Sequence, residues 1–170
     1  VWTVEQLVEA CASVEAPESL IDVDDPDLLL PGDMPGRINA QLKRAGQVSI
    51  PEGPDMAVRM TSLILHSLAA RYAAVLQDAA RITGRTLRRL YIVGGGSKNT
   101  VLNRLTAKAT GLQVLTGSTE SATVGNFAIQ LTALAGNYTN GTGVAADAVA
   151  EWAGILSALP IGVSGNEATG

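Results

Sequence analysis

The residues best suited to chemistry are three successive glycines, Gly94, Gly95 and Gly96, which follow an apolar run and precede a polar one. Glycine permits a positive φ and lets backbone N–H groups approach a ligand, because no Cβ stands in the way. A helix that begins just after such a loop directs its positive end at an anion. The spacing therefore describes a cradle for a phosphate group. A tight strand-to-helix turn without a ligand explains the same local pattern equally well.

Two known phosphate-binding motifs fit these residues badly. The dinucleotide fingerprint needs a third glycine at its end, where Asn99 stands, and the Walker loop needs Gly-Lys-Ser/Thr, which is absent. A dinucleotide module also needs an acidic residue after its second strand, where Thr116, Gly117 and Ser118 stand. A Rossmann-like dinucleotide-binding module stays an alternative, as does a mostly helical interaction domain without catalysis.

The elements that position the loop are predicted to be a strand, a helix and a second strand. Residues 90–93 are short, branched and bounded by glycine, as expected of a buried parallel strand. A helix is expected from about residue 98 to 110, with Gly111 as its stop, and a second strand over 113–116. This is a βαβ unit, for which parallel strands and a right-handed crossover are expected.

The clearest helix is predicted over residues 56–83, where apolar side chains recur at steps of three and four, with Gly84 as its stop. This spacing places Ser62 and His66 on the polar face. Because the sequence implies no Ser, Cys or Asp partner for His66, we expect that side chain to be solvent-exposed and not catalytic.

Four further helices are predicted from capping residues and periodicity. Thr3 and Gln6 form a capping box for a helix to about Val14, and Asp33 can cap a short helix to about Ala45. An extended stretch is expected over residues 19–26. The last two helices are expected over about 119–135 and 144–159, followed by a disordered tail over 161–170.

Composition bounds the class of protein. The chain has 170 residues, 46% of them hydrophobic, which suits one globular domain. Its net charge of −4 and the lack of a basic run argue against a nucleic-acid partner. No apolar stretch approaches the roughly 20 residues that span a bilayer, so no membrane partner is expected. The lone Cys11 favours the cytoplasm. The sequence carries no signal for oligomeric state.

The acidic residues are expected to serve structure. Asp22, Asp24, Asp25, Asp27 and Asp33 lack calcium-loop spacing, and Pro26 interrupts them, so solvated loop and cap roles are favoured and no metal site is predicted. Glu120 is expected to open a helix, where a carboxylate favours the positive end of the dipole. Gly125 is expected to permit close helix packing.

Four segments together resemble the FGGY carbohydrate kinases, especially their rhamnulokinase branch. The glycine loop IVGGGSKNTVLN, residues 92–103, is similar to the C-terminal nucleotide loop of that family. ATGLQVLTG, residues 109–117, looks like its second strand, and ESATVGN, residues 120–126, looks like the start of its next helix. IDVDDPDLLLPGDMP, residues 21–35, is similar to the stretch before its long helix. The resemblance covers most of residues 1–160.

The resemblance implies a helix-rich α/β fold, namely the C-terminal half of a ribonuclease-H-like, actin-like ATPase domain with a short parallel βαβ core. It also implies phosphorylation of a ketose, L-rhamnulose at its 1-hydroxyl, with ATP and Mg as cofactors. In that family the glycine loop contacts the nucleotide. Carried over by position, the cofactor-binding candidates are Gly95 first, then Gly94, Gly96, Ser97, Asn99 and Asn103. The two asparagines are candidates for contact with adenosine, and Asn99 fits a helix cap equally well.

The same resemblance implies what the sequence lacks. The family's N-terminal phosphate loop, its sugar contacts and the Asp that acts as general base all precede the segment matched here. We therefore expect residues 1–160 to be part of a C-terminal nucleotide-binding domain, a piece of a longer protein, because the chain begins at Val1 and not at Met. No catalytic residue or Mg ligand is expected in it. ATP or ADP would bind this part and the ketose sugar the missing N-terminal part, so the piece is expected to be inactive alone.

Overall fold

The structure, a computed structural model, describes residues 2–117, 119–137 and 143–158. These residues group into two compact units. The first comprises residues 2–92 and 96–116, and the second comprises residues 93–95 together with the described residues from 117 onward. The predicted disordered tail over 161–170 lies outside the described residues.

The first unit begins with helix α1, Val4–Cys11. The predicted capping box is confirmed, because the Thr3 hydroxyl accepts the Gln6 N–H at 3.2 Å and the Gln6 side chain accepts the Thr3 N–H at 2.9 Å. The helix ends three residues before the expected Val14. After Cys11 the N–H groups of the chain bond carbonyls three residues back, which is a tightened turn and not a continued helix.

Between α1 and α2 the chain departs from one expectation and agrees with another. Residues 19–26 were expected to be extended, but the structure has no strand there: residues 23 and 24 form a turn, and a 3-10 helix, Pro26–Leu29, begins at the end of the stretch. The Asp25 carboxylate caps it by accepting the Asp27 N–H at 2.9 Å. Helix α2, Met34–Arg44, begins as predicted because the Asp33 carboxylate accepts the Gly36 N–H at 3.1 Å. The Asn39 side chain then exchanges two hydrogen bonds with the backbone of Ile50, both 2.9 Å, and so holds the next loop on α2.

Helix α3, Met56–Thr83, has the predicted bounds, and Gly84 ends it in the left-handed region. Its predicted polar face is confirmed at Arg59, Gln77 and Arg81, which are exposed. It is wrong at Ser62, which is buried, and at His66, which is half-buried. The helix contributes to two apolar clusters in the first unit. The first cluster is formed by Ile21, Ile38, Leu42, Ile50, Met60 and Leu63, and the second by Cys11, Val58, Leu65 and Val101.

A two-stranded parallel sheet follows α3, as predicted. Strands β1, Arg89–Ile92, and β2, Gln113–Thr116, pair with Leu90 opposite Val114. The expectation of a fully buried strand is wrong for β1. Its residues alternate between half-buried and exposed, and Tyr91 is 63% exposed, so one face of the strand is covered.

Helix α4, Thr100–Thr110, connects the two strands and contacts both α3 and β2. Gly111 ends it in the left-handed conformation, as predicted. The second unit contains α5, Ser121–Leu134, and α6, Ala146–Ala158, which pack against each other. Both lie within the predicted spans, although α6 starts two residues later than expected.

Candidate functional site

The glycine loop follows β1 directly and leads into α4. Of its three glycines, Gly94 alone has a positive φ, +73°, in a region that L side chains rarely adopt. Residues Gly95–Lys98 then form a short 3-10 helix, and α4 begins two residues after it ends. The strand-to-loop-to-helix order predicted from the sequence is therefore confirmed.

Gly95 is a glycine that the described protein atoms do not require. Its φ lies outside the left-handed region, and a Cβ built on it meets no described atom within 4 Å. At Gly96 the built Cβ approaches only the Ile92 methyl Cγ2, at 3.9 Å, which is ordinary contact. Neither built Cβ collides with a described atom.

Asn99 caps α4. Its Oδ1 accepts the Leu102 N–H at 3.0 Å, and its own N–H donates to the Gly96 carbonyl at 3.1 Å. The cap that the sequence allowed is thus present. It joins the 3-10 turn to the helix, so the positive end of α4 lies immediately after the glycines.

Asn103 lies one turn further along α4 and is only 8% exposed. Its Nδ2 donates to the Ser97 carbonyl at 2.9 Å, and its Oδ1 is buried without a hydrogen-bond partner among the described residues. The Asn103 side chain therefore links α4 to the loop through the Ser97 carbonyl.

Lys98 is a loop residue that the sequence reasoning missed. It is the last residue of the 3-10 turn and it is exposed. A lysine ammonium can form a charge-assisted hydrogen bond to a phosphate oxygen. The position of Lys98 directly after Gly-Gly-Ser could have identified it as a candidate from the sequence.

In the second unit, two glycines lie near the residues that precede α5, and one of them has a close neighbour. A Cβ built on Gly117 would lie 2.9 Å from the Val93 methyl Cγ1, so this glycine is required by a neighbouring side chain. A Cβ on Gly94 would lie 4.0 Å from the Thr119 carbonyl oxygen. Glu120 occupies the N-cap position of α5, as predicted, although its side chain makes no capping hydrogen bond.

With this geometry in place, the comparison with known families is decisive. Residues 3–134 match the family model described as the FGGY family of carbohydrate kinases, C-terminal domain. That range is more than half of the chain and includes the whole glycine loop. The chain belongs to the FGGY family of carbohydrate kinases.

Three curated relatives, all named rhamnulokinase, are similar in sequence to about three quarters of this FGGY chain. It is 38% identical over 128 residues to a rhamnulokinase of Klebsiella pneumoniae subsp. pneumoniae, strain MGH 78578, and 38% identical over 128 residues to that of Klebsiella pneumoniae strain 342. It is 37% identical over 125 residues to a rhamnulokinase of Bacteroides thetaiotaomicron. These matches cover 75%, 75% and 74% of this chain and 25% of each relative. The chain thus spans about a quarter of the length of the curated relatives it matches.

The observed architecture agrees with the family. A helix-rich α/β arrangement with a short parallel pair of strands is consistent with the FGGY C-terminal domain of a ribonuclease-H-like fold. Family membership favours a kinase over the two alternatives, a dinucleotide module and a helical interaction domain.

The acidic residues of this FGGY chain have structural partners. Asp25 Oδ1 accepts the Asp27 N–H at 2.9 Å, and its other oxygen receives Arg44 at 2.9 Å. The pKa of the Asp25 carboxyl is lowered from its ordinary value. The hydrogen bond from the Asp27 N–H contributes most, the bond from the Gln41 side-chain amide comes next, and Arg44 lowers the pKa further. Asp33 caps α2, so the predicted cap roles are confirmed for these two carboxylates. Among the described residues, no three His, Cys, Asp or Glu side chains gather as metal ligands.

His66 departs from its expected exposure because a backbone carbonyl partners it. Its Nδ1 lies 2.9 Å from the Ser62 carbonyl oxygen, which can only accept, so Nδ1 carries the proton. The ring borders a depression shared with Cys11, Arg104 and Lys108. The Ser62 hydroxyl Oγ also lies 3.4 Å from Nδ1, so the ring has a serine neighbour that the sequence did not indicate.

Gly125 lies within α5, outside the glycine loop. A Cβ built on Gly125 meets no described atom within 4 Å, so the expected close packing at this glycine is wrong. In the part of the chain that the structure describes, no helix is long and apolar enough to cross a bilayer.

Proposed function

We propose that this chain supplies the adenosine and phosphate side of the ATP cleft in a kinase that converts L-rhamnulose to L-rhamnulose 1-phosphate. The observation that carries the proposal is the open glycine loop between β1 and α4, inside the region matched by the family. The sugar is taken from the three relatives, which are rhamnulokinases by name.

The phosphates are assigned to the loop of Gly94, Gly95, Gly96 and Ser97. Open space beside Gly95 admits an anion up to van der Waals contact with the backbone, where a side chain would keep it away. The N-terminal end of α4 adds its partial positive charge. Lys98 adds a full positive charge at the surface.

The adenosine is assigned to Asn99. Because its Oδ1 is used to cap the Leu102 N–H, the group that it can offer to a ligand is the Nδ2 donor. Asn103 is buried and directed at Ser97, so its part in nucleotide binding is indirect.

The chemical step is assigned to residues outside this sequence. Phosphoryl transfer depends on an oriented hydroxyl, a metal ion and stabilisation of charge at the phosphoryl group. We place the general base, the Mg ligands and the sugar contacts in the other three quarters of a full-length kinase, and we expect this chain alone to be inactive. MgATP is a substrate here, and the lone, buried Cys11 is compatible with a reducing cytoplasm.

A chimera tests the ATP-side assignment. The matching quarter of the Klebsiella pneumoniae rhamnulokinase is replaced by this chain, and ADP release is followed with MgATP and L-rhamnulose. The natural enzyme is the positive control, and the enzyme without the matching quarter is the negative control. We expect activity to return. A chimera that unfolds cooperatively, binds L-rhamnulose and still releases no ADP would contradict the assignment.

The choice of sugar needs a separate test, because the chimera takes its sugar contacts from the relative. The natural gene product that contains this sequence is assayed with L-rhamnulose, D-xylulose, gluconate and glycerol. We expect the largest kcat/KM for L-rhamnulose. A larger value for another sugar would leave the kinase class standing and refute L-rhamnulose as its substrate.

A further inference from the structure

We propose that a depression lined by residues of α3, of α4 and of the segment around the end of α1 binds a phosphate group, either free inorganic phosphate or the phosphate of a small monoester. The depression encloses about 400 Å³, which is ample for such a group. Its nitrogen- and oxygen-bearing side chains are Ser62 and His66 on α3 and Arg104 and Lys108 on α4. All of its lining residues belong to the first compact unit. The site lies outside the glycine loop and does not depend on the proposed function.

The charged side chains that line the depression are both positive. The lining includes no aspartate or glutamate, although the chain as a whole has a net charge of −4. Arg104 and Lys108 lie four residues apart on α4, so they share one face of the helix and repel each other. Neither side chain forms an ion pair or a hydrogen bond with another described residue. A bound anion would offset this repulsion.

Ser62 adds a buried hydrogen-bond donor to the wall formed by α3. Its side chain is 2% exposed and lines the depression. Its Oγ lies 3.4 Å from His66 Nδ1. Because Nδ1 carries the proton that it donates to the Ser62 carbonyl, this nitrogen cannot accept a bond from the hydroxyl. The Ser62 O–H is therefore left without an acceptor among the described residues.

Stability does not explain this hydroxyl. A buried donor without an acceptor destabilises the fold by at least as much as one ordinary hydrogen bond stabilises it. An alanine at the same position would avoid that cost. A ligand oxygen in the depression would instead provide the missing acceptor, so the unused Ser62 donor points to a ligand independently of the two cations.

The set of donors identifies the chemistry of the ligand. A guanidinium binds a phosphate through two parallel hydrogen bonds, and an ammonium adds a full charge. A phosphate monoester carries a charge of about −1.5 to −2 at pH 7, which matches Arg104 and Lys108 together. Its tetrahedral oxygens can also meet donors from two helices at once. A carboxylate has a single charge and two oxygens, so it would leave part of this set unused.

The test titrates the isotope-labelled 170-residue chain with inorganic phosphate, with glycerol 3-phosphate and with sodium chloride, at constant pH and equal ionic strength. His66 is the single histidine of the chain, so its ring signals report the depression without overlap. The amides of residues 94–99 report the glycine loop in the same spectra. Binding at the two places is therefore measured separately, and failure at one is distinguished from failure at the other.

Three variants accompany the titration. Arg104→Gln removes a charged donor from the depression, and Arg85→Gln is its matched control, because Arg85 is exposed and does not line the depression. Ser62→Ala removes the buried hydroxyl. The urea midpoint of unfolding is measured for each variant, so that a loss of binding can be compared with a loss of stability.

We expect both phosphates, but not chloride, to shift the His66 ring signals with one saturable Kd. Arg104→Gln should raise this Kd about tenfold, and Arg85→Gln should leave it unchanged. Ser62→Ala should raise the Kd about threefold while it keeps or raises the urea midpoint, because a buried donor without an acceptor is removed. A lower Kd for glycerol 3-phosphate identifies a monoester as the preferred ligand, and the reverse order identifies free phosphate.

Several results would overturn the proposal. If neither phosphate shifts the His66 ring signals, the depression binds no phosphate, whatever happens at residues 94–99. Equal shifts with chloride, or an equal loss of affinity in Arg85→Gln and Arg104→Gln, would show screening of net charge and not a site. A Ser62→Ala variant that binds phosphate as tightly as the wild type, or that has a lower urea midpoint, would remove the buried hydroxyl as evidence for a ligand.

Discussion

Substitution of Gly95 separates the two reasons for which a glycine can occupy this loop, the needs of the protein and the needs of a ligand. A Cβ at this position meets no described atom within 4 Å, and the backbone is not left-handed. Gly95→Ala should therefore change the free energy of unfolding by less than about 1 kcal/mol, in the stabilising direction. Gly95→Leu should also fold.

The cost of the substitution should fall on nucleotide binding. If a side chain displaces one backbone N–H from a phosphate oxygen, a charged hydrogen bond of about 1.5–3 kcal/mol is lost. At about 1.4 kcal/mol per factor of ten, the Kd for ADP should rise by about tenfold to a hundredfold. Isothermal titration calorimetry measures the Kd, and urea unfolding measures stability in the same samples.

Two neighbouring glycines provide the controls. Gly94→Ala forces an L residue to a φ of +73° and should destabilise the chain by about 1–2 kcal/mol. Gly117→Ala should destabilise it as well, because the new Cβ would lie 2.9 Å from a Val93 methyl group. The reasoning is refuted if Gly95→Leu binds ADP as tightly as the wild type, or if it destabilises the chain as much as these two.

Three further predictions concern stability and reactivity. Ile38 is 1% exposed in the first cluster, and Ile38→Ala should lower the free energy of unfolding by about 2–5 kcal/mol. Val48 is 85% exposed, and Val48→Ala should change this free energy by no more than about 0.5 kcal/mol. Urea unfolding measures both changes. The pKa of Asp25 is lowered in the fold, so its stabilisation is present above the ordinary value of 3.8 and is lost as the pH falls through the folded value. Asp25→Asn should remove that acid dependence, and an unchanged acid-unfolding curve would contradict this. Burial raises the pKa of the Cys11 thiol, so a disulfide reagent should label it slowly at about pH 8 and rapidly in urea.

Several helix ends could be predicted because the signals that set them lie close in sequence. The capping box at Thr3, the cap at Asp33 and the stop at Gly84 each involve residues within one turn. The parallel βαβ unit followed from the same local signals. Residues 19–26 were expected to be extended but contain a turn, since alternating apolar residues also suit a loop whose acids cap and bind Arg44.

The faces of α3 could not be predicted in the same way. Ser62 and Ser67 are buried, and Ser67 Oγ donates to the Leu63 carbonyl at 2.7 Å while accepting the Ile21 N–H at 3.1 Å. A serine that is satisfied by its own helix can be buried at little cost. Conversely, Val75 and Ile82 lie on the face where apolar side chains recur at steps of three and four, yet both are exposed. Ala73 is the last buried residue of α3.

The site was located by its glycines, but its internal bonds were not predictable. The sequence offered two interpretations of Asn99, and the cap is observed. It did not indicate that Asn103 would be buried and would bond Ser97, because that contact depends on how the 3-10 turn folds back on α4. Long-range placement of this kind is decided by packing and not by residue spacing.

The most direct test of the central claim is a titration of the isotope-labelled chain with ADP and, separately, with NAD, while all backbone amide signals are followed. We expect ADP to shift the amides of residues 94–99 with one saturable Kd and NAD to bind more weakly. If ADP leaves these six amides unchanged while the chain is folded, or if NAD shifts them at lower concentration, the loop is not the ATP side of a sugar kinase.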